Sequence, residues 1–264
     1  MTEKFATVLM IGDVVGTPGL RALFMSLPGL VKRTEADLVV ANGENARNGF
    51  GIGREDCTAM LGSGVQAISS GNHVWEGKEA LELLDSEPAL LRPANFPPGL
   101  PGKGFLYVRG RKFEWVVINL QGREGLTPID CPFRTADELL ARANREHPGA
   151  FVVVDFHAES SEEKEAMGWH LDGRAAVVAG THTHVQTADE RILPKGSGYL
   201  TDLGMSGPED SVIGVKTEIC IRRSLTQMPI KMETAEGEAS LCGAIFRIDP
   251  ETRRCAEIER FTIR

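Results

Sequence analysis

Five short apolar runs each stop at a segment rich in Asp, Glu, Asn or His, and no other feature of the chain constrains its fold as much. Residues 6–11 run into Gly12-Asp13, residues 37–41 into Asn42-Gly43-Glu44-Asn45, and residues 65–69 into Gly71-Asn72-His73. Residues 151–154 lead to Asp155-Phe156-His157, and residues 175–179 to Gly180-Thr181-His182-Thr183-His184. Short apolar runs followed by loops and then by helix-like segments are the pattern of strands feeding helices in an α/β fold. In open α/β sheets the carboxyl ends of the strands share one rim. Polar residues far apart in sequence are therefore predicted to meet in space.

The segments between the runs agree with this reading. A helix is expected from about Thr17-Pro18, where Thr can cap and Pro is tolerated in the first turn. Others are expected over 77–84, over 135–146, and after Ser160, which stands at capping-box spacing from Glu163. Residues 115–120 read as a further strand, and 239–248 with 254–263 as a terminal β-hairpin around Pro250-Glu251-Thr252. No repeat or low-complexity tract interrupts the chain, and its 29 Gly and 14 Pro are too dispersed for a long linker. One domain over residues 1–264 is the expectation.

Composition narrows the function classes. A net charge of −8 argues against a broad basic surface that grips long nucleic acid by releasing counterions. The five cysteines are odd in number and lack C-x-x-C spacing, which points to reduced thiols in a cytoplasmic protein rather than a disulfide framework or zinc ribbon. The apolar run that follows Glu3 and Lys4 is too short for a membrane span and breaks off at Gly12-Asp13, unlike a secretory signal. Neither a dinucleotide fingerprint, a P-loop nor a Gly-x-Ser-x-Gly elbow is present.

The candidate site is then Asp13, Glu44, Asn45, Asn72, His73, His157, His182 and His184. Four of the chain's six histidines belong to it; His147 is expected in a solvated loop and His170, beside Trp169, in a packing role. Carboxylate, amide oxygen and imidazole without thiolate suit manganese, iron or zinc as a reactive rather than a structural ion. Eight groups exceed one open tetrahedral site and suit two metals sharing a carboxylate. His182 and His184, two apart in an extended strand end, are expected to project to one side. Arg21, Arg54 and Arg174 lie near these segments and are read as solvated unless a phosphate reaches them.

In order and spacing, these five blocks resemble the signature blocks of calcineurin-like metallophosphoesterases. The stretches NGENARNGFG, GNHVWE, GWHLDGR, AGTHTHVQTAD and GYLTDLGMSGP narrow the resemblance to the bacterial YmdB-type 2′,3′-cyclic-nucleotide phosphodiesterases, from about Lys4 to Ile263. The sequence departs from the general pattern in three places. Asp13-Val14-Val15 replaces D-x-H, Glu44 replaces the bridging Asp, and Val74 follows Gly-Asn-His where an acid is common, leaving the carboxylate that orients His73 open, with Glu76 a weak candidate. The first two changes are what the YmdB-type branch implies.

The resemblance implies a four-layer α/β/β/α sandwich with two mixed sheets. It also implies two ions, iron or manganese with zinc as the alternative: one held by Asp13, Glu44, Asn45 and His184, the other by Glu44, Asn72, His157 and His182. A hydroxide bridging them would attack the phosphodiester in line, His73 would protonate the leaving sugar oxygen, and opening the 2′ ester would leave a 3′-phosphate. The implied partner is a small cyclic-nucleotide or phosphodiester substrate, with no long nucleic acid and no membrane, and a homo-oligomer is left open. The alternatives are a broader phosphodiesterase or phosphatase that includes 3′,5′-cyclic nucleotides, and a non-catalytic nucleotide- or RNA-binding regulator.

Overall fold

The structure, a computed structural model, describes residues 5–264; Glu3 and Lys4, which precede the first apolar run, lie outside the described residues. The chain begins β1 (Ala6–Ile11), β2 (Asp13–Val14), α1 (Gly16–Thr34), β3 (Leu38–Asn42), α2 (Arg54–Gly62), β4 (Ala67–Ser69) and α3 (Ala80–Ser86). It continues β5 (Phe105–Arg109), β6 (Glu114–Gln121), α4 (Pro132–Glu146), β7 (Phe151–His157), α5 (Ser161–Leu171) and β8 (Val177–Thr181). It ends β9 (Arg191–Ile192), β10 (Gly198–Leu200), β11 (Met205–Pro208), α6 (Thr217–Thr226), β12 (Ala239–Ile248) and β13 (Cys255–Ile263).

Two-residue alternation explains the layering. In β1, Val8 and Met10 enter one core while Leu9 and Ile11 enter another. In β6, Trp115 and Val117 join the core of Val8 and Met10, whereas Val116 and Ile118 face elsewhere. Successive strand side chains point to opposite faces, so each strand feeds two cores. The core shared by Val8, Met10, Val40, Trp115, Val117 and Val153 lies between two sheets. On the far side of the first sheet pack Leu23 and Leu27 of α1, Met60 of α2 and Leu83 of α3. On the far side of the second pack Leu140 of α4 and Met167 of α5. The result is the expected α/β/β/α order.

The first sheet runs β2-β11-β12-β1-β3-β4, with β13 on β12; the second runs β5-β6-β7-β8-β10-β9. Both are mixed: β1, β3 and β4 are parallel, as are β6, β7, β8 and β10, while β12 and β5 run antiparallel to their neighbours. The terminal hairpin forms as expected, but β12 inserts between β1 and β11 instead of lying at an edge. Among the described residues no helix is long and apolar enough to cross a membrane.

Several helix boundaries move for identifiable reasons. The first helix has Val15, not Thr17, at its N-cap. Helix α4 starts at Pro132, whose missing N–H costs nothing in a first turn. Ser160 accepts the Glu163 amide as a cap should (3.2 Å), but the Glu163 carboxylate takes the amides of Arg123 and Glu124, so the reciprocal half of the capping box is absent.

Candidate metal centre

In β7 the alternation that buries Phe151 and Val153 between the sheets continues into Asp155 and His157 on the same face. At its carboxyl end this strand therefore swaps apolar side chains for ligating ones without changing register. Asp13 enters from β2, Glu44 and Asn45 from the loop after β3, Asn72 and His73 from the turn after β4, and His182 and His184 from the loop after β8. Asp13, Glu44 and His157 are at most 1% exposed.

The groups meet in two overlapping sets. In the first, Glu44 Oε1, His182 Nδ1 and Asn72 Oδ1 lie 2.9, 3.0 and 3.0 Å from His157 Nε2. In the second, His184 Nε2 lies 3.2 Å from the Asn45 amide and 3.8 Å from Asp13 Oδ1, and the Asn45 amide is 3.5 Å from Glu44 Oε1. Glu44 belongs to both, and its other oxygen accepts the His73 amide (3.1 Å). A half-turn of the Asn45 amide brings its oxygen to the side its nitrogen occupies.

The supporting contacts fix which atoms are free. His157 Nδ1 lies 2.9 Å from Thr181 Oγ1, whose hydroxyl donates to Asp155 Oδ1 (2.8 Å); Asp155 also accepts the Ser69 hydroxyl. With Nδ1 donating, Nε2 is left as a lone pair toward Glu44. His182 Nε2 is 3.0 Å from the Glu159 carboxylate, and His184 Nδ1 donates to the Ile213 carbonyl (2.8 Å), so each aims its other nitrogen at the cluster. Gly71 leaves the room required: a Cβ there would stand 2.0 Å from the His157 ring.

The donor set fits a cation. Three acceptor-capable atoms converge on His157 Nε2, itself a fourth, and a single proton can satisfy only one contact among them. Asp13 Oδ1 is buried with no hydrogen-bond partner, a costly arrangement for a carboxylate unless positive charge sits beside it. Burial raises the Asp13 pKa, with His184 and His157 pulling it back. Burial opposes charge on Glu44 too, yet His157 holds its carboxyl down at about 2. Burial also disfavours the His157 imidazolium, but Glu44 and then Asp13 and Asp155 push it up to about 9. Burial and the His157 charge drive His182 down to about 3. The cluster wants positive charge, and Glu44, His157 and His182 offer ligand atoms within 4.8 Å of one another.

The site opens into a cavity of about 300 Å³ lined on one side by Glu44, Asn45, His73, His182 and His184. Among the described residues no Lys or Arg lines it. Arg54 pairs with Glu82, Arg174 with Asp137, and Arg21 donates to the Gly237 carbonyl, so none of the three lines the cavity.

Some expectations need correction. His182 and His184 do not lie in an extended strand: β8 ends at Thr181, and their φ values are +104° and +64°. They reach the cluster through a left-handed turn whose middle residue, Thr183, is gripped by Asp202 through its amide and hydroxyl (3.2 and 2.8 Å). No carboxylate orients the His73 ring among the described residues. Its ring meets the Phe50 ring edge-on, with centroids 4.9 Å apart, and Glu76 touches it only by donating its amide to the His73 carbonyl. His147 is not simply solvated but stacks on Tyr107, with centroids 4.1 Å apart. His170 packs as expected, against Phe133 and Asp137.

Asp155, Glu159, Asp202 and Ile213 are absent from the candidate set that the sequence suggests, although Glu159 and Ile213 brace His182 and His184 directly and Asp155 and Asp202 act through Thr181 and Thr183. Asp155 and Asp202 fall inside family-like stretches, which is the one signal that points to them. The Ile213 contact is made by a backbone carbonyl, which no side-chain pattern announces.

Comparison with known proteins agrees with this geometry. The family model for YmdB-like protein matches residues 9–261. The chain is 47% identical over 256 residues to the 2′,3′-cyclic-nucleotide 2′-phosphodiesterase of Bacillus subtilis (strain 168), covering 97% of this chain and 96% of that one. A hypothetical protein of Thermus thermophilus superposes with a TM-score of 0.90 at 42% identity, over 97% of this chain and 98% of its own. A novel phosphatase of Mycoplasma pneumoniae superposes with a TM-score of 0.91 at 34% identity, over 98% and 93%. On the family match, these identities and the shared sandwich, the chain belongs to the YmdB-like protein family, of metallophosphoesterase type.

Proposed function

We propose that this chain is a metal-dependent phosphodiesterase that hydrolyses 2′,3′-cyclic nucleotides, built on residues 1–264 as one metallophosphoesterase domain. The observation that carries the reading is the cavity itself. Its ligand side is formed by acceptors and imidazoles, and among the described residues no Lys or Arg lines it, which leaves cations held on the ligand set as the main source of charge to neutralise a phosphate. Asp13, Glu44, Asn45 and His184 would hold one ion, and Glu44, Asn72, His157 and His182 the other, with iron or manganese favoured by the donors and zinc the alternative. Bound, the two ions supply charge neutralisation for the phosphoryl oxygens and acidify a water enough to act as nucleophile near neutral pH.

The chain's own groups do the rest. His73 sits on the cavity wall, its amide tied to Glu44 and its ring held by Phe50. As water adds to phosphorus it releases one proton to solvent; the P–O2′ bond breaks, its bonding pair passes to O2′ and His73 delivers a proton there, leaving the 3′-phosphate. Thr181, Asp155, Glu159 and Ile213 keep the three ligand histidines in the tautomers this requires. The name of the Bacillus subtilis relative supports the regiochemistry. The likeness to a novel phosphatase of Mycoplasma pneumoniae favours a second, broader reading that includes phosphate monoesters. The five free cysteines suit a reducing, cytoplasmic setting.

A panel of 2′,3′-cyclic, 3′,5′-cyclic and monoester nucleotides, read by product identity on metal-loaded protein, tests the reading. A 3′-monophosphate formed fastest from the 2′,3′-cyclic ester is expected. A faster monoester or 3′,5′-cyclic reaction selects the broader esterase, and no turnover of any ester leaves only a binding role.

A further inference from the structure

The wall of the cavity opposite in chemistry to the ligand side is apolar, formed by Phe50, Ile213, Val215 and Met232. Ile213 is the unexpected member. Val212 and Val215 exchange both backbone hydrogen bonds (2.9 and 3.0 Å), which makes Ile213-Gly214 the two central residues of a tight turn. Both have positive φ, +48° and +94°. This is the mirror-image turn that favours Asn-Gly, and a β-branched residue at its first central position is a conformational outlier.

The turn serves the ligand set, because the Ile213 carbonyl takes the His184 Nδ1 proton. That contact, however, comes from the backbone, and any residue would supply it. What the isoleucine alone adds is a branched apolar side chain, 50% exposed, on the cavity that Phe50 also lines. A side chain that is unfavourable in its turn and half-exposed is explained by what it meets in the cavity.

Resting on the phosphodiesterase reading, we propose that Phe50 and Ile213 form the nucleobase subsite and that Ile213 is a specificity-determining residue for a mononucleoside 2′,3′-cyclic phosphate. The chemistry matches: a flat, uncharged heteroaromatic base is accommodated by an aromatic ring and an aliphatic side chain, whereas the Glu159 carboxylate on the same cavity disfavours a second phosphate. Phe50 touches the His73 ring, so the subsite adjoins the group that protonates O2′.

The test compares 2′,3′-cyclic AMP with the 2′,3′-cyclic phosphate of methyl riboside, which keeps the ribose and the ester but has no base. In Ile213→Asn the turn gains a residue suited to positive φ and keeps its carbonyl, so the variant is expected to fold at least as well. The ratio of kcat/KM for the nucleotide to kcat/KM for the base-free ester is expected to fall about tenfold in Ile213→Asn. An unchanged ratio overturns the subsite, and a loss transmitted through His184 would lower both rates and leave the ratio where it was. If the native protein turns over neither ester, the phosphodiesterase reading fails instead. Calorimetry with adenosine 3′-phosphate against ribose 3-phosphate then decides the subsite: a nucleotide preference weakened by Ile213→Asn supports it, and equal binding of the two refutes it.

Discussion

Two buried ionic clusters stand on either side of the His182-Thr183-His184 turn, and they are built to opposite ends. In one, Lys164 and Asp202 are each 1% exposed at the side chain and pair at 2.7 Å. The remaining lone pairs of Asp202 take the amides of Thr183 and Gly204 and the Thr183 hydroxyl. In the other, Asp13, Glu44 and Asp155 surround the His157 imidazole, and one Asp13 oxygen has no hydrogen-bond partner, with only the His184 and His157 rings near it at 3.8 and 3.9 Å. The first cluster is neutral and complete within the protein. The second is short of positive charge, which is the basis for proposing that cations complete it. A buried carboxylate with its own cation serves the architecture, whereas one left without a counter-charge marks the place where the protein expects a ligand.

That contrast can be attacked directly. The largest effect is expected from Glu44→Gln, which removes the carboxylate shared by both ligand sets; hydrolysis of any cyclic ester should fall by about a thousandfold or more. Retained turnover would put the reacting centre elsewhere. Next, Lys164→Met should destabilise the protein by about 3–5 kcal/mol in denaturant titrations, because it strands Asp202 as an unpaired buried charge. In metal-free protein Asp13→Asn should cost nothing or stabilise, since it deletes a charge that was already stranded. Equal destabilisation by the two variants would erase the distinction between the clusters.

A smaller effect is expected at Thr181, which ties His157 to Asp155. Thr181→Val should weaken metal binding by about 10- to 100-fold in calorimetry, through a residue that touches no ion.

The smallest effect is one of pH. In metal-free protein His157 is held at about 9, above its ordinary 6.5, so the stability it contributes is complete below 6.5 and is lost as pH rises through 9. His182, pushed down to about 3, stays neutral across that window and contributes no slope there. The melting temperature of metal-free protein should therefore fall between pH 6.5 and 9, while metal-loaded protein, with the His157 proton displaced, should show a flat profile. A flat profile without metal would mean that the carboxylates do not hold that proton.

The strands were legible as short apolar runs, whereas the four-layer order comes from the resemblance: Val8 and Met10 against Leu9 and Ile11, or Val117 against Val116, are all apolar, and their assignment to different cores appears only in the structure. The candidate set is read from where the apolar runs stop: Asp13, Glu44 and His182 follow strands that end one or two residues earlier, and His157 closes β7. What was not legible is non-local or lies in the backbone. Strands of two to four residues, such as β2, β9 and β11, are too short to show a period. The insertion of β12 beside β1 depends on pairing across most of the chain. The left-handed turn at His182 and His184 carries no Gly or Asn to announce it, and is imposed by Asp202 and the Ile213 carbonyl.

The most direct test of the central claim is the metal stoichiometry of the purified chain, measured by elemental analysis after loading with manganese or iron, for the native protein and for Asp13→Asn. About two ions per chain in the native protein and about one in the variant are predicted, because Asp13 belongs to one ligand set and Glu44 to both. A single ion in the native protein, or a count that Asp13→Asn leaves unchanged, would contradict the account.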